Sequence, residues 1–360
     1  MRLLFLNEKL NYAGTSSYTF DLACALGKMG DEIRLCTTGG DLRKSFGALG
    51  VETYLVRFNP FSFSKLLGFL REFEPELLHF QNLRSAPFGQ RIARKLGVPY
   101  VVTVHRAPDS SAPRIADHLL SGVIASNEVI RESLVNNLGV PKTLIRVIHR
   151  GVDTDALSPE PEGWQKSRDR GWIPVVGSVG SLQKVKGHHV LIKAARRLLD
   201  MGVEAMFAIV GEGEEEPYLR RLVKDLQLQQ QVTFSPHIPN RRGLYRTFDI
   251  VVVPNLKAGV GSTALEGMSM GKPVVASAVG ELLHIVEDGK TGLLVPEGDD
   301  EALADRLRDL IVHPESCASL GQAARACVLE SFSLGPMVQA TREFYQEKLT
   351  AASRNATARR

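Results

Sequence analysis

The amino-acid sequence predicts an α/β protein made of two Rossmann-like, doubly wound domains. Three observations carry this expectation. Short β-branched runs alternate with helical patterns along nearly the whole chain, as in successive βαβ units. Several of these runs lack polar alternation, as strands covered by helices on both faces do. The polar, Pro-rich and aperiodic segment SPEPEGWQKSRDRGWIP (158–174) interrupts the rhythm and reads as a linker. A length of 360 residues agrees with two domains at roughly 100–200 residues each.

In the first domain, residues 1–157, the expected strands are RLLFLN (2–7), DEIRLCT (31–37), VETYLV (51–56), ELLHF (76–80), PYVVTV (99–104) and GVIAS (122–126). Helical patterns such as Tyr18–Met29 and Arg91–Leu96 lie between them. In the second domain, residues 175–335, strand runs resume as VVGSVG (175–180), AMFAIVG (205–211), QVTFSP (231–236), DIVVVP (249–254), KPVVAS (272–277) and TGLLVP (291–296). A closing helix, Pro336–Leu349, falls in a segment (336–350) expected to cross back to the first domain, and AASRNATARR (351–360) reads as a frayed tail. Two such domains facing across a cleft would set the carboxyl edges of both sheets side by side. Open α/β sheets hold ligands at that edge, so the arrangement suits group transfer between two bound partners. Fold alone does not fix the reaction.

Composition narrows the class. Apolar residues make up 44% and charged residues 23%, which excludes a disordered or collagen-like chain. No apolar run approaches the roughly 18–20 residues that span a bilayer. MRLLFLNEKL is too short and too soon charged for a signal peptide. Cys24, Cys36, Cys317 and Cys327 form no CxxC pair and read as small buried apolar residues in a reducing compartment, so the expected location is cytoplasmic. Residues 1–150 hold 19 Lys/Arg against 13 Asp/Glu, whereas residues 151–350 hold 22 against 27. The basic first half fits an anionic partner, acidic head groups or a phosphorylated ligand, and equally an ordinary soluble surface.

The motifs lie mostly in the second half. Gly180-Ser181-Leu182 ends a strand, and Lys186-Gly187 precedes the helix His188–Leu199. Lys186 could point its ammonium at a phosphate near that helix start, or be a solvated loop lysine. Val210-Gly211-Glu212-Gly213 allows close ligand approach, or is a plain turn. From Pro254 to Gly261 a strand gives way to a glycine loop, and a helix opens near Ser262. Its free amides form an anion site suited to a diphosphate. Glu266, one turn further, could accept from a ribose diol or close a capping box with Thr263.

Taken in order, G-S-L-x3-K-G, V-G-E-G and A-G-V-G-x4-E-G-M-x2-G-x-P-V resemble glycosyltransferase family 4, the retaining glycosyltransferases of GT-B fold. The first half agrees in Ala13-Gly14-Thr15, L-L-H-F (77–80), P-Y-V-V-T-V-H (99–105), I-A-S-N-E (124–128) and Arg150-Gly151-Val152-Asp153. The likeness spans about residues 1–350. It implies a nucleotide-sugar donor (UDP-, GDP- or ADP-linked), an acceptor hydroxyl on a glycan or lipid-linked glycan, and no cofactor or metal. It also implies a place in cell-envelope glycan or glycolipid synthesis, with the chain cytoplasmic or peripheral at the inner membrane face. By resemblance, Lys186 contacts the diphosphate, Glu266 the ribose, and Gly259, Val260, Gly261, Ser262 and Thr263 the sugar hydroxyls and distal phosphate. Gly14 and Thr15 approach that phosphate, His105 faces the transferred sugar, and the base lies along His237 and Ile238. Gly211 and Ser181 line the same donor region.

The chain departs from the pattern in places. Ser181 stands where the family usually has arginine, and Ala258 where it has the first glutamate of its E-x7-E pair. His284 takes the place of a later glutamate, and Arg150 that of an asparagine. A lost charge-assisted bond is worth roughly 1.5–3 kcal/mol, on the order of 10–100-fold in rate if nothing replaces it. Arg150, Arg106 and Lys257 are the candidate replacements. The rival reading is an impaired transferase that binds nucleotide or glycan or scaffolds a partner. A GT-B 2-epimerase lacks the carboxylate set that chemistry needs, and a dehydrogenase lacks a GxGxxG after the first strand. Paired carboxylates of the glycosidase kind, a DxD-like metal motif and nucleic-acid-binding features are not found. Phe61, Phe63, Leu66, Leu67, Phe69, Leu70 and Phe73, beside Lys65 and Arg71, form an apolar stripe that reads as core packing or as a face for an anionic membrane. His79 reads as a buried strand-end residue or an acceptor-site residue.

Overall fold

The computed structural model describes residues 1–11, 14–57, 60–108, 112, 115, 120–159 and 173–358, without the side chains of 60–65 and 355–358. The chain forms two compact units, Met1–Gly151 with Leu334–Arg360, and Val152–Ser333.

In the first unit β1 (Arg2–Leu6), β2 (Glu32–Thr37), β3 (Glu52–Leu55), β4 (Leu77–Phe80), β5 (Tyr100–Val104), β6 (Leu120–Ala125) and β7 (Ile145–Val147) form one sheet in the order β3-β2-β1-β4-β5-β6-β7. Every pairing is parallel. The helices are α1 (Gly14–Lys28), α2 (Arg43–Ala48), α3 (Pro60–Phe73), α4 (Ala86–Leu96) and α5 (Glu128–Leu138). Side chains alternate between the faces of a strand, so Leu4 and Leu6 join one core while Leu3 and Phe5 join the other. The first core is covered by Leu66, Leu70 and Phe73 of α3 and by Ile92 and Ile130. The stripe on α3 therefore packs inward where its side chains are described; Phe61, Phe63 and Lys65 lie outside those residues.

In the second unit β8 (Val175–Val179), β9 (Met206–Val210), β10 (Val232–Ser235), β11 (Ile250–Val253), β12 (Val274–Ser277) and β13 (Leu293–Val295) pair in parallel in the order β10-β9-β8-β11-β12-β13. Its helices are α6 (His188–Asp200), α7 (Glu216–Asp225), α8 (Arg241–Thr247), α9 (Ser262–Ser269), α10 (Leu282–Ile285), α11 (Asp300–Val312) and α12 (Pro314–Ser331). Val252 faces one core, and Val251 and Val253 the other. Both sheets are thus the doubly wound sheets that the apolar runs imply. Among the described residues, no helix is long and apolar enough to cross a membrane.

Three boundaries differ from expectation. Residues 152–158 belong to the second unit, because Val152 N donates to Phe332 O at 2.8 Å, Ser269 Oγ donates to Leu157 O at 2.7 Å, and Arg325 reaches the Leu157 and Thr154 carbonyls. Residues 160–172 of the expected linker lie outside the described residues. The last helix, α13 (Leu334–Ala358), starts before Pro336 and continues through most of the expected tail, since AASRNATA contains no helix breaker. It packs on the first unit through Met337, Val338, Phe344 and Tyr345.

Gly177 in β8 lies against the Phe248 ring, and a Cβ there would sit 2.4 Å from it. Phe248 is fully buried and has nowhere to retreat. Gly177→Ala should therefore destabilise the protein by about 1–3 kcal/mol through overpacking. A thermal melt should read this as a fall of several degrees, and an unchanged midpoint would contradict the packing described.

Candidate active site

The strand order of the second unit reverses between β8 and β11, so the connections leaving these two neighbours diverge and open a crevice at their carboxyl ends. After β8 come Gly180 and Ser181, a 3-10 turn at Lys184–Lys186, and then α6. Gly187 has φ +67°, and a Cβ there would lie 1.9 Å from the Pro254 carbonyl oxygen, so only glycine lets this loop meet the one after β11. Leu256 N donates to Val185 O at 2.9 Å and fastens the two loops. Lys186 is half-buried, and its Nζ lies 3.6 Å from the position a Cβ would take on Gly259.

The same loop ends at α9. Gly261, with φ +64°, is the residue before the helix, and no side chain caps it. The first intrahelical bond is Leu265 N to Gly261 O at 3.0 Å, so the amides of Ser262, Thr263 and Ala264 precede the ladder and point out of the helix start. Thr263 Oγ1 donates to Val179 O at 2.9 Å and ties that start to the end of β8. The capping box between Thr263 and Glu266 is therefore not formed. Glu266 instead pairs with Arg241, whose Nη1 lies 2.8 Å from Oε1. The buried Tyr245 phenol stands beside that carboxylate; its pKa is driven up by burial and then by the Glu266 charge. His237 and Ile238, both half-buried, follow β10 and lead into α8. At the end of β9, Gly211 N donates to Ser235 O and Gly180 N to Val210 O, each at 2.9 Å.

Ser181, Lys186, Gly211, His237, Ile238, Gly259 through Thr263 and Glu266 thus all stand at the carboxyl edge of β8, β9, β10 and β11. Lys186 Nζ reaches the Gly259 loop, and that loop leads straight into the uncapped start of α9. This set can hold an anion at the glycine loop, with a carboxylate one helical turn away to receive hydroxyl donors. Ala258 and Lys257 are exposed, and the α-carbon of Gly280 packs onto Ala258. Sequence reasoning missed Arg241. Its signal was a cation at the first residue of a helix, where the dipole disfavours positive charge and some other group must account for it.

In the first unit Gly14 and Thr15 open α1. Arg150 is buried and turned toward that helix: its Nη1 donates to the Gly14 carbonyl and its Nη2 lies 4.0 Å from Asp21 Oδ2. Arg106 is exposed. His105 follows β5, is only 7% exposed, and has no hydrogen-bond partner on either ring nitrogen among the described residues. Tyr18 meets its ring edge-on, with centroids 4.6 Å apart. Burial first and the Arg150 charge second lower the His105 pKa to about 3, so the imidazole is neutral. His79 is completely buried, which removes the acceptor-site alternative for it. Its Nε2 lies 2.7 Å from Thr103 Oγ1, and its Nδ1 meets the Gln81 amide at 2.9 Å and the Tyr345 hydroxyl. Among the described residues no group of three or more His, Cys, Asp or Glu gathers as a metal site.

Residues 165–326 match the family described as Glycosyl transferases group 1, and residues 12–156 match Glycosyltransferase Family 4. The chain is 29% identical over 323 residues to D-inositol 3-phosphate glycosyltransferase of Corynebacterium jeikeium, covering 80% of this chain and 77% of that one. It is 30% identical over 281 residues to D-inositol 3-phosphate glycosyltransferase 1 of Catenulispora acidiphila, covering 69% and 67%. The fold is similar to that of Anabaena HepE in complex with UDP-glucose, with a TM-score of 0.86 at 21% identity over 96% of this chain and 100% of that one.

The two histidines give the first unit a defined acid response. His79 and His105 titrate at about 3, against 6.5 when exposed. Between these values the unfolded chain binds protons that the folded unit refuses. The stability they contribute is complete above pH 6.5 and falls as the pH drops toward 3, by about 1.4 kcal/mol per histidine per pH unit. His105→Asn should flatten this limb. Urea midpoints at pH 7 and pH 5 should differ less in the variant than in the parent, and equal differences would mean that His105 is charged in the fold.

Proposed function

Since this chain belongs to glycosyltransferase family 4, we propose that it moves a sugar from a UDP-linked donor to an acceptor hydroxyl with retention, in the making of a cell-envelope glycan or glycolipid. The observation that carries the reading is that Lys186 Nζ reaches the Gly259 loop, which leads straight into the uncapped start of α9, at the crevice where the strand order reverses. A diphosphate placed there faces an ammonium and a helix start, both of which gain as negative charge grows on the departing group. Glu266, inside α9, is then the acceptor for the ribose hydroxyls, and His237 and Ile238 flank the base. UDP is favoured because the similar Anabaena protein holds UDP-glucose.

The reaction needs no protein nucleophile if the acceptor oxygen attacks the anomeric carbon on the face from which the diphosphate leaves. The carbon–oxygen bond to the diphosphate breaks, the new glycosidic bond forms, and the acceptor proton passes to the departing phosphate oxygen. In this reading the leaving-group charge is met by Lys186 and backbone amides in place of a metal ion, so activity should survive EDTA. His105 serves the transferred sugar from the first unit, and that unit carries the acceptor-side function. Its surplus of Lys and Arg fits a phosphorylated acceptor or the anionic inner face of a membrane. The rival, a non-catalytic nucleotide- or glycan-binding scaffold, is motivated by Ser181 and Ala258.

A thermal-shift screen against UDP, GDP, ADP and their sugars separates these readings. UDP and a UDP-sugar should raise the melting temperature, and Lys186→Ala and Glu266→Ala should each abolish the shift. Transfer to inositol phosphate or a lipid-linked glycan should follow, with the anomeric configuration of the product read by NMR. An inverted product would overturn retention. Nucleotide binding without transfer or donor hydrolysis would favour the scaffold.

A further inference from the structure

We infer that Arg241 is a positioning residue for nucleotide recognition, holding the Glu266 carboxylate in the orientation that receives a nucleoside's vicinal diol. The inference rests on the reading of Glu266 given above and deepens it. Glu266 is 7% exposed, and it meets Arg241 Nη1 through Oε1 at 2.8 Å. A carboxylate that close to burial needs a hydrogen-bonding partner. Arg241 supplies one from the first turn of α8, with its side chain 28% exposed, so the pair reaches the protein surface.

The placement of the arginine supports the same conclusion. Arg241 and Arg242 open α8, where Asn240 caps the helix by accepting from Gly243 N at 2.9 Å. A helix start opposes positive charge, so α8 itself gives no reason for a guanidinium there. Glu266 gives one. One bond to Arg241 leaves the carboxylate able to accept from two further donors, which is what the two hydroxyls of a ribose offer. Arg241 also stands three residues after Ile238, on the connection between the segment proposed for the base and the carboxylate proposed for the sugar. A neutral side chain would give the carboxylate no charge-assisted partner, and a lysine's compact, strongly hydrated ammonium would supply a less directional one than a guanidinium.

The test is calorimetric titration of UDP and of 2′,3′-dideoxy-UDP into the parent, Glu266→Gln, Arg241→Ala and Arg241→Lys, with melting curves recorded for each. The parent should prefer UDP by about tenfold or more, as charge-assisted bonds to the diol require. Arg241→Ala should lose most of that preference while its affinity for dideoxy-UDP stays within about twofold. Arg241→Lys should recover part of it. Equal weakening toward both ligands in Arg241→Ala would make the arginine merely structural and overturn the inference. If Glu266→Gln abolishes the preference and Arg241→Ala retains it, the inference fails and the ribose reading stands. If Glu266→Gln retains the preference, the ribose reading fails and the inference with it.

Discussion

The candidate donor site depends on one topological constraint, the reversal of strand order between β8 and β11. In a parallel sheet each strand must be followed by a crossover, and the crossovers of these neighbours leave toward opposite edges. No element of the sheet fills the gap above their ends. The gap has a fixed shape only because its two walls are fastened to each other: Gly187 lies on the Pro254 carbonyl, Leu256 N bonds to Val185 O, and Thr263 Oγ1 bonds to Val179 O. Each fastening joins the end of β8 or the loop after it to the loop or helix after β11. The glycines at 187 and 261 are therefore conditions for the crevice, and the chemistry of Lys186 and Glu266 follows from where that crevice holds them.

Two of the four departures from the family pattern, Ser181 and Ala258, are better judged together than singly. An arginine replaced by Ser181 removes one positive charge, and a glutamate replaced by Ala258 removes one negative charge. By the resemblance these two changes cancel in formal charge, although two directional contacts are lost, and His284 and Arg150 each shift the balance toward positive charge. What remains is Lys186, the α9 amides and an internally neutralised pair at Glu266 and Arg241. Within its own unit, the Arg150 guanidinium bonds to the Gly14 carbonyl and approaches Asp21.

Buried parallel strands were legible because helices on both faces make them apolar without interruption, as in Tyr100–Val104 and Ile250–Val253. Ile145–Val147 was not legible. It is three residues long and contains Arg146, which is tolerated because its guanidinium pairs with Glu347 and lies over the Phe344 ring of α13, some 200 residues away. The loops of the site could be read from glycine spacing, since close backbone approach demands glycine locally. The Arg241–Glu266 pair could not, because only strand order brings the start of α8 beside α9. The boundary at Gly151 was hidden for a similar reason: the bonds that draw 152–158 into the second unit come from Ser269, Arg325 and Phe332.

The first unit raises a different question, which is why His105 should be buried with both ring nitrogens unpaired among the described residues. An unmet buried polar group costs about 1–3 kcal/mol, and an aromatic or aliphatic side chain could fill the same space beside Tyr18 without that cost. His79, one strand away, shows that this core can satisfy an imidazole completely when packing is all that is required. The contrast leaves the hydrogen-bonding capacity of His105, among the described residues, open to a partner outside the fold. Its neutral state narrows what that partner can be. Burial and the Arg150 charge keep the ring unprotonated, so it offers one donor and one acceptor, where an imidazolium would offer donors only. A sugar hydroxyl is both donor and acceptor and complements such a ring, whereas a phosphate is best met by cations and amides.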